Sequence, residues 1–319
     1  MTDKRVETDD IALAYDCAKL YYEKELSQNE ISDMLKLSRS KVSRLLALAR
    51  RIGIVTIILR PPENFDQTKL ANRLCEKYGL AHVFVGVPSE ESDLSIKRSI
   101  GRLFQDHFPS FLGKRTRVGI GWGTTIYTAM RELQGVLSYK DVTISPLVGG
   151  AGESQPAYQV NNLVDLCANW LQSKRIYLMG PAIFDSPDQL QSFASNAATS
   201  SAIALWAKLD VVVFSVGGSI DNSDILYSSF PKDYVVELMR GHAIGDILAR
   251  FFDSNGQIIN HSIDDVFLGI PFCLLLNVPE RICLAGGPHK INSLDTALRA
   301  GYITTLMTDL YTAQSLVNL

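Results

Sequence analysis

The chain has 319 residues, 46% of them hydrophobic and 20% charged. That is enough apolar side chain for more than one buried core and too much for a disordered chain. The net charge of −3 is uneven: residues 36–60 hold seven basic residues and no acidic one, while residues 61–319 hold 20 basic and 25 acidic.

Five scattered cysteines without CxxC spacing argue against a disulfide framework or a zinc site. The polar, acidic opening does not read as a signal peptide. The longest run of membrane-like composition, residues 267–278, is too short to span a bilayer. A cytoplasmic protein without membrane association, metal or cofactor is expected.

A first helix is predicted in IALAYDCAKLYYEKEL, where Ile11, Ala14, Ala18 and Tyr21 or Tyr22 recur at helical spacing. The stretch Ser27-Gln28-Asn29-Glu30 is a capping box for a short second helix with Ile31, Met34 and Leu35 as its apolar stripe. Lys36-Leu37-Ser38 is a tight turn, and Ser38 caps a third helix.

In the third helix, Val42, Leu45, Leu46, Ala49 and Ile52 share one face, and Ser40, Arg44, Ala47 and Arg51 the opposite one. Gly53 ends it, and IVTIIL follows as a β-branched strand. Burying the Val/Leu stripe turns a cationic, acid-free face outward, and a B-DNA major groove admits one such helix between phosphate walls. Gln28, Arg39, Ser40, Lys41, Ser43 and Arg44 are the candidate DNA contacts. The arrangement is a helix-turn-helix whose closing strand begins a wing, so a winged-type DNA-binding domain is expected over 1–60 with double-stranded DNA as its partner.

RPPENFD breaks the pattern, giving a linker at 61–66 and a second domain over 67–319. There, strand-like AHVFVGV, RVGIGW, VTISPLV, RIYLM, VVVFSVG, RICLAG and YITTLMTD alternate with helical segments, which predicts a doubly wound parallel α/β sheet. Ligands of such sheets bind beyond the carboxyl ends of the strands.

Three of those ends are glycine-rich: Gly121 to Thr125 with Gly123, Thr124 and Thr125; Gly149 and Gly150; and Gly286 to Lys290 with Gly287 and Lys290. Glycines let backbone approach a ligand, and helix-start amides with threonine hydroxyls favour an anion or sugar hydroxyls. The pattern is not the dinucleotide fingerprint, because the third glycine comes one residue early. Gly245-Asp246 reads either as an acid facing sugar hydroxyls or as a helix-start aspartate. Gln155 and Asn161 read either as hydroxyl partners or as polar caps. No acid/base pair gathers at one strand end.

Together these residues resemble the SorC/DeoR-type family of sugar-responsive bacterial transcription regulators, over nearly the whole chain. LYYEKELSQNEISDMLKLSRSKVSRLLALARRIGIVTI looks like its DNA-binding segment. VGIGWGTT, PLVGG, AIGDILARFFDSNG and LAGGPHKINSLDTALRAGYITTLMTD look like its effector domain. The resemblance implies a fold similar to ribose-5-phosphate isomerase and glucosamine-6-phosphate deaminase, used to bind and not to convert. It also implies a sugar or sugar-phosphate effector, a homotetramer on paired operator half-sites, and control of a carbohydrate-utilisation operon.

By position, Thr124 and Thr125 then hold a phosphate or sugar end. Gly149 and Gly150 line the floor, Asp246 contacts hydroxyls, and Lys290 meets the anionic end. Val148 offers no amine for a covalent sugar adduct, and YSSF at 227–230 stands where some phosphate-binding relatives carry arginine. The rival expectation is a sugar-phosphate isomerase or deaminase-like enzyme with an added DNA-binding module.

Overall fold

In the computed structural model the described residues are 8–52, 54–55, 67–150, 159–218, 232–259 and 262–319. Gly53 as a helix stop, most of the strand expected after it, the linker at 61–66, Gln155 and the 227–230 stretch lie outside them. The chain divides into two compact units, Met1–Glu63 and Asn64–Leu319.

The first unit holds α1 (Thr8–Tyr22), α2 (Gln28–Leu35) and α3 (Arg39–Arg51). The capping box forms in full: the Glu30 amide donates to Ser27 Oγ, and the Ser27 amide donates to Glu30 Oε2 at 2.8 Å. Lys36 closes α2 in the left-handed region at φ 52°, and Ser38 accepts the Lys41 amide to start α3.

Val42, Leu45, Leu46 and Ala49 are buried against Ala14, Cys17, Ala18 and Ile31, each large side chain contributing about 1.5–3 kcal/mol. Three expectations fail here. Ile52 is 41% exposed, because it caps α3 from outside the helical stripe. Met34 is exposed on α2, and Ile11, Tyr21 and Tyr22 are exposed on α1, which buries Ala14, Cys17 and Ala18 and packs Leu13 and Leu20 against the same core.

Among the described residues the second unit holds a sheet of seven parallel strands. They are β1 (His82–Gly86), β2 (Arg117–Ile120), β3 (Thr143–Pro146), β4 (Lys174–Arg175), β5 (Val211–Phe214), β8 (Glu280–Leu284) and β9 (Thr305–Asp309). The order across the sheet is β1-β9-β8-β5-β2-β3-β4. A separate antiparallel pair, β6 (Gly245–Ile247) with β7 (Arg250–Phe252), lies between β5 and β8 in sequence.

The described helices are α4 (Gln67–Tyr78), α5 (Asp93–His107), α6 (Thr124–Glu132), α7 (Val160–Leu171), α8 (Pro187–Ala194), α9 (Ala197–Trp206), α10 (Lys232–Arg240), α11 (Phe272–Leu276), α12 (Ile291–Arg299) and α13 (Leu310–Asn318). From β2 to β4 the chain steps one way across the sheet; from β4 through β5 and β8 to β9 it steps back. Right-handed crossovers in opposite directions put helices on opposite faces.

The reversal separates neighbours β2 and β5, whose carboxyl ends open side by side, the position at which open α/β sheets take ligands. The expected RIYLM strand shrinks to the two residues of β4, and Tyr177 and Met179 beyond it are exposed. No helix among the described residues is long and apolar enough to cross a membrane.

Candidate effector site and nucleic-acid interface

On α3, Arg39, Ser40, Ser43 and Arg44 are exposed and Lys41 is half-buried; Gln28, opening α2, is half-buried. Arg44 Nε donates to the Ser40 carbonyl at 3.3 Å, which lays its guanidinium along the helix. Lys41 Nζ is 3.8 Å from Asp10 Oδ1, an exposed pair of small energetic weight. The side chain of Arg51 lies outside the described residues. The face therefore carries cations in water, free to reorganise around phosphates.

In the second unit the loops after β2, β5 and β8 converge. Gly123 precedes α6 with φ 122°, a conformation that favours glycine, and a Cβ there would meet nothing within 4 Å. The next two residues diverge. Thr124 is half-buried at the helix start, whereas Thr125 is 1% exposed.

Lys290 reaches the same place from the loop after β8. Its side chain is buried, and Nζ donates to Thr125 Oγ1 at 3.5 Å and to Ser215 Oγ, just past β5, at 3.3 Å. Both bonds are long, and Lys290 has no ion pair among the described residues. Burial holds its pKa below the ordinary lysine value; the neighbouring charge of Lys97 adds to this, and Asp246 opposes it.

Asp246 lies in β6 of the hairpin and not at a helix start, which removes that alternative. Its Oδ2 accepts the Ala249 amide at 3.0 Å. Burial raises its carboxyl to about 6, against the lowering pull of the Ala249 amide and the Lys290 charge. Gly217 makes room for it: a Cβ at Gly217 would lie 1.9 Å from Asp246 Oδ1. The hairpin tip is strained, with Leu248 at φ 50° and Ala249 at φ 62°, both non-glycine residues in the left-handed region. Leu248 packs over Gly121, where a Cβ would come within 2.6 Å of it.

The other candidates are committed to the scaffold. The Gly149 amide donates to the Leu268 carbonyl, and a Cβ on Gly149 would lie 2.4 Å from the Pro181 carbonyl oxygen. The Gly150 amide donates to Gly180 and its carbonyl accepts from Ala182. Gly149 thus admits a crossing segment of backbone, to which Gly150 is hydrogen-bonded. Asn161 spends its amide on residue 178, donating to the Leu178 carbonyl at 3.0 Å and accepting its amide at 3.1 Å.

Gly287 (φ 101°) donates its amide to Asp309 Oδ2 and Thr312 Oγ1. Asp309 is fully buried and caps α13 through the Tyr311 and Thr312 amides. The loop that carries Lys290 is thus anchored by a buried carboxylate.

Sequence reasoning missed Ser215, Gly217 and Asp309. Ser215 and Gly217 were within reach, since the Ser-Val-Gly-Gly after β5 repeats the pattern of the other glycine-rich strand ends.

Residues 63–318 match the family described as "Putative sugar-binding domain". The chain is 30% identical over 307 residues to the deoxyribonucleoside regulator of Bacillus subtilis (strain 168), covering 96% of this chain and 97% of that one. It is 28% identical over 318 residues to the sorbitol operon regulator of Klebsiella pneumoniae, covering 97% and 99%. The crystal structure of the full-length sorbitol operon regulator SorC from Klebsiella pneumoniae aligns with a TM-score of 0.78 at 27% identity, covering 98% of this chain and 100% of that one.

Proposed function

The chain belongs to the SorC/DeoR-type family of sugar-responsive transcriptional regulators, and is a regulator and not an enzyme; from that membership we propose that it binds operator DNA through α3 and takes an anionic sugar, a sugar phosphate, around Lys290. In this reading, residues 1–60 form a winged helix-turn-helix, 61–66 a linker, and 67–319 an effector and oligomerisation domain. The effector domain has a fold like that of ribose-5-phosphate isomerase and glucosamine-6-phosphate deaminase. The working form is a cytoplasmic homotetramer on paired half-sites of a carbohydrate-utilisation operon.

One observation carries the effector assignment. The ammonium of Lys290 is buried with two long hydrogen bonds to neutral hydroxyls. A buried charge is costly unless it is paired and well hydrogen-bonded. A phosphate entering beside Gly123 and Thr124 supplies the counter-charge, and α6 offers helix-start amides to the same group. Asp246 then accepts sugar hydroxyls from the other side. Thr125 works through Lys290: its hydroxyl holds the amine.

The relatives named above are regulators for a deoxyribonucleoside and for sorbitol; a phosphorylated hydroxyl-rich carbon chain is the chemistry this site would take. A melting screen against pentoses, hexoses, polyols and their phosphates tests it. A ligand at 100 times its Kd adds about 2.7 kcal/mol, so a phosphate should raise the melting temperature and its parent sugar much less. Equal shifts from sugar and phosphate would overturn the anionic assignment.

A further inference from the structure

The hairpin that carries Asp246 is held in a conformation that its own turn residues disfavour. Leu248 at φ 50° and Ala249 at φ 62° both lie in the left-handed region, which a residue with a Cβ enters at a cost. Such strain persists only where surrounding contacts over-determine it, and it gathers at ligand sites. On the Asp246 side the hold is backbone: the Gly217 amide donates to the Asp246 carbonyl at 2.9 Å. On the other side the first residue after the turn is Arg250, which pairs across it with Ile247.

Arg250 is 4% exposed, a rare place for a guanidinium. Its Nε is 2.6 Å from Asp264 Oδ1, and its Cζ lies 4.7 Å from the centre of the Phe267 ring. Phe267 in turn meets Trp122 edge to face, with ring centres 6.0 Å apart. Trp122 belongs to the loop that opens α6, and Leu248 packs over Gly121 of the same loop. One side chain thus fastens the hairpin turn to the segment after Ser262 and, through Phe267, to the loop that carries Thr124 and Thr125.

We propose that Arg250 is a positioning residue of the effector site: through Asp264 and the Phe267 ring it holds the Leu248–Ala249 turn, and so keeps the Asp246 carboxylate beside Lys290, without touching the ligand. Ala249 is the link. Its amide donates to Asp246 Oδ2 at 3.0 Å, and Arg250 is the next residue. A turn that relaxes would swing that amide away and admit water to Asp246. Neither Nε nor Nη1 of Arg250 makes a directed hydrogen bond to the described residues. Its grip is therefore charge against Asp264 and the ring face, which a lysine can supply and an apolar side chain cannot. The role of Asp246 toward a ligand rests on the effector reading; the hold on the turn does not.

Titrating Asp246 in the full, unliganded chain tests the hold. Aspartate carboxyls are labelled with carbon-13, and Asp246→Asn identifies the signal. Lys290 is the charged group that faces Asp246, and Asp264 and Tyr234 face Arg250; all three stay unchanged in the main variants. In the parent the carboxyl should titrate at about 6. In Arg250→Met it should fall to about 4, the ordinary aspartate value, because the carboxyl gains water. Loss of the Ala249 amide works against that fall, but burial is the larger influence. Arg250→Lys should stay near the parent. Replacing one end of this pair by an apolar side chain leaves Asp264 in reach of water, with its side chain 41% exposed. If Arg250→Met does not fold, Asp264→Asn should move the titration the same way.

Binding gives the second readout, with ribose 5-phosphate as the probe. At pH 7, Arg250→Met should bind about tenfold more weakly, as for the loss of a hydrogen bond to a charged group. Arg250→Met/Asp246→Asn should bind no more weakly than Asp246→Asn alone, since both changes act through one carboxylate. A folded Arg250→Met whose Asp246 titrates as in the parent would overturn the proposal. So would a double variant weaker than Asp246→Asn. A titration that moves as expected, in a protein that binds no sugar phosphate, would support the hold on the turn and sink the effector reading.

Discussion

The two units use positive charge in opposite ways. On α3 the cations Arg39 and Arg44 stand in water, where keeping them charged costs little and where they act together. In the second unit Lys290 is buried at the meeting of three strand ends, where its charge is expensive and its neighbours are hydroxyls. Exposed cations suit a polyanion: binding comes from releasing counterions, and any phosphate in reach will serve. A buried cation suits one anion in one pose. On the function proposed above, the same charge would serve a surface that reads a long polymer and a pocket that reads a small molecule. Mutations in the two places should separate in size, salt dependence and ligand.

The largest effect is expected on α3. Arg39→Ala/Arg44→Ala should weaken binding to an operator duplex by roughly 2–6 kcal/mol together, at roughly 1–3 kcal/mol for each base-reading arginine. The slope of log affinity against log salt should flatten by about one for each phosphate left without its cation. Anisotropy titrations at several salt concentrations measure both. Unchanged affinity would break the comparison at its first half.

Next comes Lys290→Ala. Calorimetry should show a sugar phosphate bound more weakly by roughly 1.5–3 kcal/mol, the range for a hydrogen bond to a charged group. The loss should vary little with salt, because a buried pair is poorly screened. A loss as salt-sensitive as the α3 variants would mean that Lys290 acts as a surface charge.

A smaller effect follows from Asp246. Its carboxyl titrates at about 6 in the folded protein, raised from 3.8. The raised value means that its contribution to folding stability is largest below about 4 and is lost as pH rises through about 6. Ligand hydroxyls donate to the ionised form, so binding runs the other way and weakens as pH falls. Between pH 7 and 5 the affinity should drop about tenfold, and Asp246→Asn should remove that step. Comparing both proteins with the same sugar phosphate cancels the ligand's own titration, whose second pKa is near 6. A step that persists in Asp246→Asn would assign it to another group.

Most of the scaffold was legible from local rules, and the reasons for the gaps are specific. Capping signals at Ser27 and Ser38 located α2 and α3, and apolar runs between turn signals located the strands β2, β5 and β9. The hairpin β6–β7 was invisible because its turn uses Leu248 and Ala249 in a conformation normally announced by Asn-Gly. One local bond and one tertiary contact sustain it: the Ala249 amide donates to Asp246 within the hairpin, and Leu248 is buried over Gly121.

The glycines at 149–150 suggested a ligand floor, but at Gly149 the structure puts the backbone of Pro181 in close approach. The meeting of Lys290 with Ser215 joins residues 75 apart in sequence. Only the strand order β8-β5-β2 brings them together, and strand order is not written in any local pattern.

The smallest effect tests whether the two units are independent. Ser38 caps α3, its Oγ accepting the Lys41 amide at 3.2 Å in an exposed position. Ser38→Ala leaves that amide to water and should cost ~1 kcal/mol, the usual value for a lost N-cap. Each unit is compact by itself, so the cost should fall on the first unit alone. In a domain of this size ~1 kcal/mol lowers the melting temperature by roughly 4–8 °C.

Calorimetric melting of Ser38→Ala should therefore show one transition moved and a second, belonging to residues 67–319, unmoved. A fragment beginning at Gln67 should reproduce that second transition and retain effector binding while losing DNA binding. If the variant shifts a single cooperative transition for the whole chain, the units fold as one body, and exposed and buried charge are not separable parts of this protein.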